Sequence, residues 1–271
     1  MPCSGIAMQQ GAGWHRPLAK STVGVRIAPS SLEFAAMERR MPETVQIPTL
    51  DGTATIPAYV ARPVGPAKAA IIVIPEIFGV NSGIRQKCEK WAAAGYLAVA
   101  PDIFWRFAPG VELDPDMPDQ LQQAFGYFQQ YDPTDGVYDI EATIHWVRRE
   151  GVVKVGCAGY CLGGRLAYMA AARTDIDASV GYYGVMIDTM LDEAHAIANP
   201  LMLHIPTADG FVPPEAQAAI HAGLDGHPKV TLHDYIGLDH GFAAEMGNRR
   251  NETGAVLADR RTAEFLAKHL A

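Results

Sequence analysis

The segment "VVKVGCAGYCLGGRLAYMAAAR", Val152 to Arg173, decides the fold. Its opening "VVKVGCAG" is β-branched and small, the composition of a buried strand, and Leu162 to Arg173 is an apolar helix. Between them stands Gly159-Tyr160-Cys161-Leu162-Gly163, a strand-to-helix turn with Gly-x-Cys-x-Gly spacing. In an α/β sheet such a turn is a nucleophile elbow: the backbone is forced into strained angles at the central residue, and small neighbours leave room for it. A cysteine there stands at the head of a helix, whose free N–H groups and dipole favour a thiolate. The plainer reading is a glycine-rich bend whose cysteine is merely small. Partners elsewhere in the chain have to decide between the two.

The flanking sequence repeats the same alternation of strand and helix. "TVQIPTLDGTATIPAYVARP", from Thr44, has two alternating runs about an Asp-Gly turn and reads as an antiparallel hairpin. "AAIIVIP" (from Ala69) and "YLAVAP" (from Tyr96) are buried strands. "ASVGYYG", "PLMLHI" and "KVTLHDY" continue the series. The spacing predicts helices over Ser82–Ala94, Asp116–Gln130, Asp139–Arg149, Pro213–Gly223 and Glu252–Leu270. Strands alternating with helices build a mostly parallel central sheet with helices on both faces. The fold class is therefore α/β, with the hairpin at its N-terminal edge. Residues 44–271 form one domain.

Residues 1–43 differ. The first thirty contain no Asp or Glu, are rich in Gly, Pro and Ser, and lack the apolar core of a signal peptide. They read as a disordered or loosely docked arm. The alternatives are a mis-assigned start, with Met37 or Met41 as the true one, and a transit peptide. The net charge of −8 disfavours a nucleic-acid partner, and no apolar run reaches the ~18 residues of a membrane span. Four cysteines are too few for a disulfide framework, so a reducing cytoplasm is the expected setting. Cys157 and Cys161 have no further ligand pair beside them, so no metal is expected.

An elbow needs an acid and then a histidine downstream, each after a late strand. Asp209 follows "PLMLHI", within "TADGFVPPE"; His240 follows "KVTLHDY", within "IGLDHGF". Cys161, Asp209 and His240 thus stand in the order nucleophile, acid, base. His204 and His233 fall inside strands, and His145, His221 and His227 on helix faces or in a loop, where they read as structural or solvated. Asp239 competes weakly with Asp209, because a sequence neighbour rarely aims its carboxylate at the adjacent ring. In "PEIFGVN", Pro75 to Asn81, Glu76 ends a central strand, where α/β sheets bind ligands. The Ile77 N–H in that loop and the Leu162 N–H at the elbow are the candidate oxyanion donors.

With "PEIFGVN", "PDIFWRFAPG", "GYCLGG", "GYYGV", "ADGFVP" and "DHGFA" in this order, the chain resembles the dienelactone hydrolase (carboxymethylenebutenolidase) family of α/β-hydrolases. The resemblance implies a catalytic Cys161-Asp209-His240 triad, with Glu76 contacting the resting thiol and helping to deprotonate it. It implies Ile77 and Leu162 as the oxyanion hole, Arg106 at a substrate carboxylate and Tyr183 near the pocket wall. The family usually places a second carboxylate-binding arginine four residues after the histidine. Here that residue is Ala244, with Arg249 and Arg250 following in the next loop.

The reaction these residues predict is covalent acyl transfer through a thioester. A thiolate leaves easily, so the tetrahedral intermediate goes forward only when the other leaving group is of comparable or lower basicity. That argument points to an activated ester or enol lactone as the small-molecule substrate. No cofactor is expected, and the chain is expected to be a monomer or small homo-oligomer. The alternatives are hydrolysis of a non-carboxylated ester or thioester on the same triad, or a non-catalytic reactive-thiol protein.

Overall fold

The computed structural model describes residues 42–271, so the expected N-terminal arm lies outside the described residues as far as residue 41. The first described strand, β1 (Glu43–Pro48), pairs antiparallel with β2 (Thr55–Ala61), and the Asp-Gly turn between them has Gly52 at φ 71°. The strands β3 (Ala70–Ile74), β4 (Leu97–Pro101), β5 (Val155–Tyr160), β6 (Ala178–Tyr182), β7 (Leu201–Pro206) and β8 (Val230–Tyr235) follow. The sheet order is β1-β2-β4-β3-β5-β6-β7-β8. It is parallel from β4 to β8, with β2 joining β4 antiparallel. This is the α/β-hydrolase architecture expected from the sequence.

The continuous apolar runs follow from burial on both faces. Along β3, Ala70, Ile72 and Ile74 point into one core and Ile71 and Val73 into the other. The first core is closed by α3 (Pro133–Arg149), α4 (Leu162–Arg173) and α5 (Pro214–Leu224). The second is closed by α1 (Ser82–Ala93) and α6 (Glu252–His269). A further helix, α2 (Pro118–Gln130), fully buries only Ala124 and packs Tyr127 and Phe128 partly against the first core.

Two elements depart from the periodicity. Helix α3 begins at Pro133, not at the expected Asp139. Asp132 caps it by accepting from the Thr134 N–H at 2.8 Å, and Pro133 takes the first helical position. Gly136 hides this first turn in the sequence; a Cβ there would lie 2.1 Å from the Tyr131 hydroxyl oxygen, and that side chain would have to move. The 3-10 segment Ile187–Ala196 was not expected. It starts after Met186 at φ 60° and is kinked at Met190, so it carries no helical period.

His204 is a satisfied core histidine, as its position within a strand suggests. Its Nδ1 meets the Tyr235 hydroxyl at 2.8 Å and its Nε2 meets Thr262 Oγ1 at 2.9 Å. Thr262 Oγ1 also lies 2.6 Å from the Tyr182 hydroxyl, which donates to Asp259. Burial, with the nearby His233 and Arg261 charges, holds the His204 imidazole well below its ordinary pKa, so it is neutral. The network joins β6, β7 and β8 to α6. Thr262→Val strands the His204 ring nitrogen, and is expected to lower the unfolding free energy by about 1–3 kcal/mol in urea titrations.

Candidate active site

Cys161 has φ 56° and ψ −113°, a strained conformation for a residue with a side chain. Two hydrogen bonds hold it: its N–H donates to the Tyr182 carbonyl at 3.0 Å, and its carbonyl accepts from Arg165 at 3.1 Å. The glycines on either side explain the spacing. A Cβ on Gly159 would sit 1.9 Å from the Gly163 oxygen, and one on Gly163 would sit 2.3 Å from the Ile74 oxygen. The head of α4 therefore rests directly on the ends of β5 and β3. Among the described residues, the Ile77 and Leu162 amides have no backbone or side-chain acceptor.

Strand register brings Glu76 to the same place. Ile74 pairs with Gly159, so Glu76 and Cys161 both lie two residues beyond the last paired position of neighbouring strands. The loop after Glu76 is pinned by Leu113 N–H donating to the Phe78 carbonyl at 2.9 Å, and by Asn81 capping α1 through the Gly83 and Ile84 amides. Glu76 keeps the partial exposure of a residue lining a cavity. It is nevertheless deep enough that burial raises its carboxyl pKa, against the opposing pull of His240, Tyr183, Lys87 and Arg249.

The other two residues come from the far side of the sheet. β7 and β8 stay in register to the pair Pro206–Tyr235, and the following loops are laced by Ala208 N–H to the Leu238 carbonyl at 2.9 Å. Asp209 and His240 meet there: the imidazole Nδ1–H reaches Oδ2 at 2.9 Å and Oδ1 at 3.1 Å. Asp209 Oδ1 also accepts from the Phe211 and Val212 amides. This arrangement leaves Nε2 for Cys161, which lies beside the ring. Asp239 instead accepts from the His240 and Gly210 amides, so it fastens the two loops and does not orient the imidazole.

Burial draws the His240 pKa down. Cys161 beside the ring, with the hydrogen bond and charge of Asp209, outweighs it and raises the value to about 10. The Tyr183 and Phe211 rings meet the imidazole edge-on at 4.9 and 4.8 Å. Tyr183 is itself buried, at φ 38°. Its hydroxyl is directed at Glu76 but lacks hydrogen-bond geometry to any partner among the described residues. It thus stands behind the cavity rather than on its surface.

The cavity over Cys161 is mostly apolar. Helix α2 supplies Leu121, Phe125 and Phe128, one stripe of its surface, and Phe78 and Phe211 face them. The one lysine or arginine in the lining is Arg249. Its guanidinium lies 5.6 Å over the Phe211 ring and is held only loosely, at 3.6 Å, by Asp239. Arg106, expected at a substrate carboxylate, does not line this cavity. Its guanidinium forks onto the buried Asp139 at 2.5 and 3.0 Å and stacks on Trp105. Arg250 is likewise engaged elsewhere, with Glu252 and Glu245, and Ala244 faces the cavity. No side-chain cluster among the described residues could hold a metal ion, and none of their helices is long and apolar enough to cross a membrane.

Comparison with known proteins agrees with the motifs. The model of the dienelactone hydrolase family matches residues 56–270. A chain of Azospirillum brasilense assigned as a carboxymethylenebutenolidase is 41% identical over 215 residues, 79% of this chain and 93% of the relative. The carboxymethylenebutenolidase of Pseudomonas putida is 37% identical over 227 residues, 83% of this chain and 96% of that one. The crystal structure of a Klebsiella pneumoniae protein assigned to the dienelactone hydrolases superposes with a TM-score of 0.73. It is 24% identical and covers 84% of this chain and 98% of its own, a likeness of fold.

The His240 pKa makes the arrangement testable. A raised folded-state value stabilises the fold fully below the ordinary 6.5, and that contribution is lost as pH rises through about 10. In an NMR titration the His240 ring is expected to titrate near 10 in the native chain and at a clearly lower pH in Cys161→Ala, where the neighbouring sulfur is gone. An unchanged midpoint would mean that the sulfur does not face the ring.

Proposed function

The chain belongs to the dienelactone hydrolase family, whose members cleave esters and lactones, and from that premise we propose that Cys161 is the nucleophile of a thioester mechanism. The observation that carries this reading is the strained cysteine at the head of α4, beside the Asp209–His240 pair. In this reading a substrate in the cavity places its carbonyl carbon at Cys161 Sγ. The thiol proton passes to Glu76, whose carboxyl is easier to protonate because it is buried. The thiolate attacks, and the carbonyl oxygen becomes an oxyanion facing the Ile77 and Leu162 N–H groups. Collapse breaks the C–O bond; the enolate or alkoxide leaves and takes a proton from the His240 imidazolium. Neutral His240 then removes a proton from water, the hydroxide attacks the thioester, the acid product leaves, and the returning thiolate takes back the proton held by Glu76. Asp209 keeps Nδ1 protonated throughout, so Nε2 is the nitrogen that exchanges protons.

The substrate follows from the nucleophile and the lining. A thiolate turns over activated esters, and an enol lactone is the natural small case. The apolar wall of α2 suits a planar, unsaturated acyl group. We read Arg249 as the anchor for a substrate carboxylate, because it is the cation at the cavity and its own ion pair is long. With Arg106 engaged by Asp139 and Ala244 in the lining, a non-carboxylated ester is the second reading.

Cys161→Ala is expected to abolish turnover of an enol lactone while leaving the circular dichroism spectrum intact. Mass spectrometry of the quenched native enzyme should find the acyl group on Cys161. A variant that keeps near-native rates would remove the mechanism. Comparing a dienelactone that bears a free carboxylate with its methyl ester tests the anchor. The native chain is expected to prefer the free acid about tenfold or more, in line with one charge-assisted contact, and Arg249→Ala to lose that preference through KM. Equal rates on both compounds in the native chain would favour the non-carboxylated ester.

A further inference from the structure

Lys87, on α1, is the only buried lysine or arginine among the described residues. A buried ammonium is costly unless every donor is used, and an apolar residue on this face of α1 would pack more easily. Its surroundings explain why a charge stands here. Nζ donates to the Ala243 carbonyl at 2.9 Å, lies 3.5 Å from Glu245 Oε1, and sits 4.3 Å over the Tyr160 ring. Tyr160 immediately precedes Cys161, and Ala243 and Glu245 lie in the chain leaving His240. One side chain therefore touches both halves of the site from behind.

The same stretch is gripped by two more cations. The Glu245 carboxylate accepts from Lys90 at 2.6 Å and lies 3.4 Å from Arg250, whose guanidinium also reaches the Ala243 and Ala244 carbonyls. Ala244 lines the cavity on the opposite side. The charges that face Lys87 are Glu245 from the His240 loop, Asp259 from α6, Glu76 from the end of β3 and Lys90 from its own helix. Those that face Glu76 are His240, Lys87 and Arg249, with the Tyr183 hydroxyl beside them.

We propose that Lys87 is a positioning residue of this site: it pins the chain leaving His240 through the Ala243 carbonyl and holds its ammonium over the Tyr160 ring, facing Glu76. Burial lowers the Lys87 pKa, while Asp259, Glu245 and Glu76 act to keep it charged, and the charged form favours the Glu76 carboxylate. The inference rests on the thioester reading above, in which Glu76 must be a carboxylate to take the thiol proton. Lys87 touches no substrate; it acts through the backbone and through its field. Glu245 holds Lys87 in place and partly screens that field.

Two substitutions separate the field from simple packing, because they move the acid limb of kcat/KM in opposite directions. Lys87→Met removes the positive charge, disfavours the Glu76 carboxylate, and is expected to shift the limb up by about half a pH unit or more. It should lower kcat about tenfold, with little change in KM. Glu245→Gln removes a negative charge and leaves Lys87 less screened, so the limb is expected to move down. Shifts in the same direction, or an unmoved limb in both variants, would overturn the inference. If Lys87→Met does not fold by circular dichroism, Glu245→Gln decides alone: a downward shift supports the inference and its absence refutes it. Cys161→Ala is measured beside them. Retained turnover there would overturn the thioester reading, and this inference with it; an inactive Cys161→Ala with native pH profiles in the other two would overturn this inference alone.

Discussion

The contact between Gly163 and the Ile74 carbonyl sets the geometry of everything above it. A side chain at residue 163 would need to occupy space 2.3 Å from that oxygen, so the head of α4 settles onto the end of β3 only because the side chain is missing. The chain must then turn from β5 into α4 within one residue, and Cys161 takes up the positive φ that the turn demands. Two amides without acceptors, those of Ile77 and Leu162, follow from the same close approach, because each lies just beyond the crossing. The strand pairing Ile74–Gly159 does the rest by setting Glu76 beside Cys161. A sheet register and two missing Cβ atoms thus place a thiol, a carboxyl and two donors before any side-chain interaction is counted.

Electrostatics then divides the site. Burial acts alike on Glu76 and His240, penalising charge on both, yet the outcomes differ because their partners differ. His240 has Cys161 and Asp209 against it, and they reverse the burial effect. Around Glu76 the countering charges of His240, Lys87 and Arg249 do not reverse it, so its proton is held more tightly than on an ordinary carboxyl. Two groups whose pKa values are both raised beside a sulfur make a coupled set, whose titration belongs to the set and not to a single residue. The charges that tune it come from two sides: Lys87 on α1, behind the cavity, and Arg249 in its lining, from the loop before α6.

What could be read from the sequence was whatever is encoded along the chain. Cys161, Asp209, His240 and Glu76 each follow a recognisable strand, and in a parallel sheet strand ends converge on one edge, so their order predicted their meeting. Pairings across the fold left no such trace. Arg106 lies on a loop after β4 and its partner Asp139 on α3, and nothing in either local sequence announces the fork that joins them. Asp139 read as the start of a helix, whereas the cap is Asp132 and the side chain of Asp139 points inward to Trp105 and Arg106. Arg249 and Arg250 are adjacent and alike in sequence. Their different fates depend on Glu245 and Glu252 gathering one of them, while Phe211 and Asp239 leave the other at the cavity.

Phe211 shows how closely the cavity mouth and the imidazole are joined. Its amide donates to Asp209, its ring stands edge-on to His240, and the same ring meets Phe125 of α2 at 6.1 Å and lies under the Arg249 guanidinium. Phe125 and Phe211 are both partly exposed, so the ring pair forms an apolar rim rather than a closed roof. A residue whose ring meets the base, the opposite wall and the one cation of the lining, and whose amide holds the acid, cannot shift without altering all four. Helix α2 fully buries a single alanine and rests Tyr127 and Phe128 partly on the core, while Leu121 and Phe125 stand in the cavity wall. Helix α2 thus reaches the Asp209–His240 pair through a single aromatic ring.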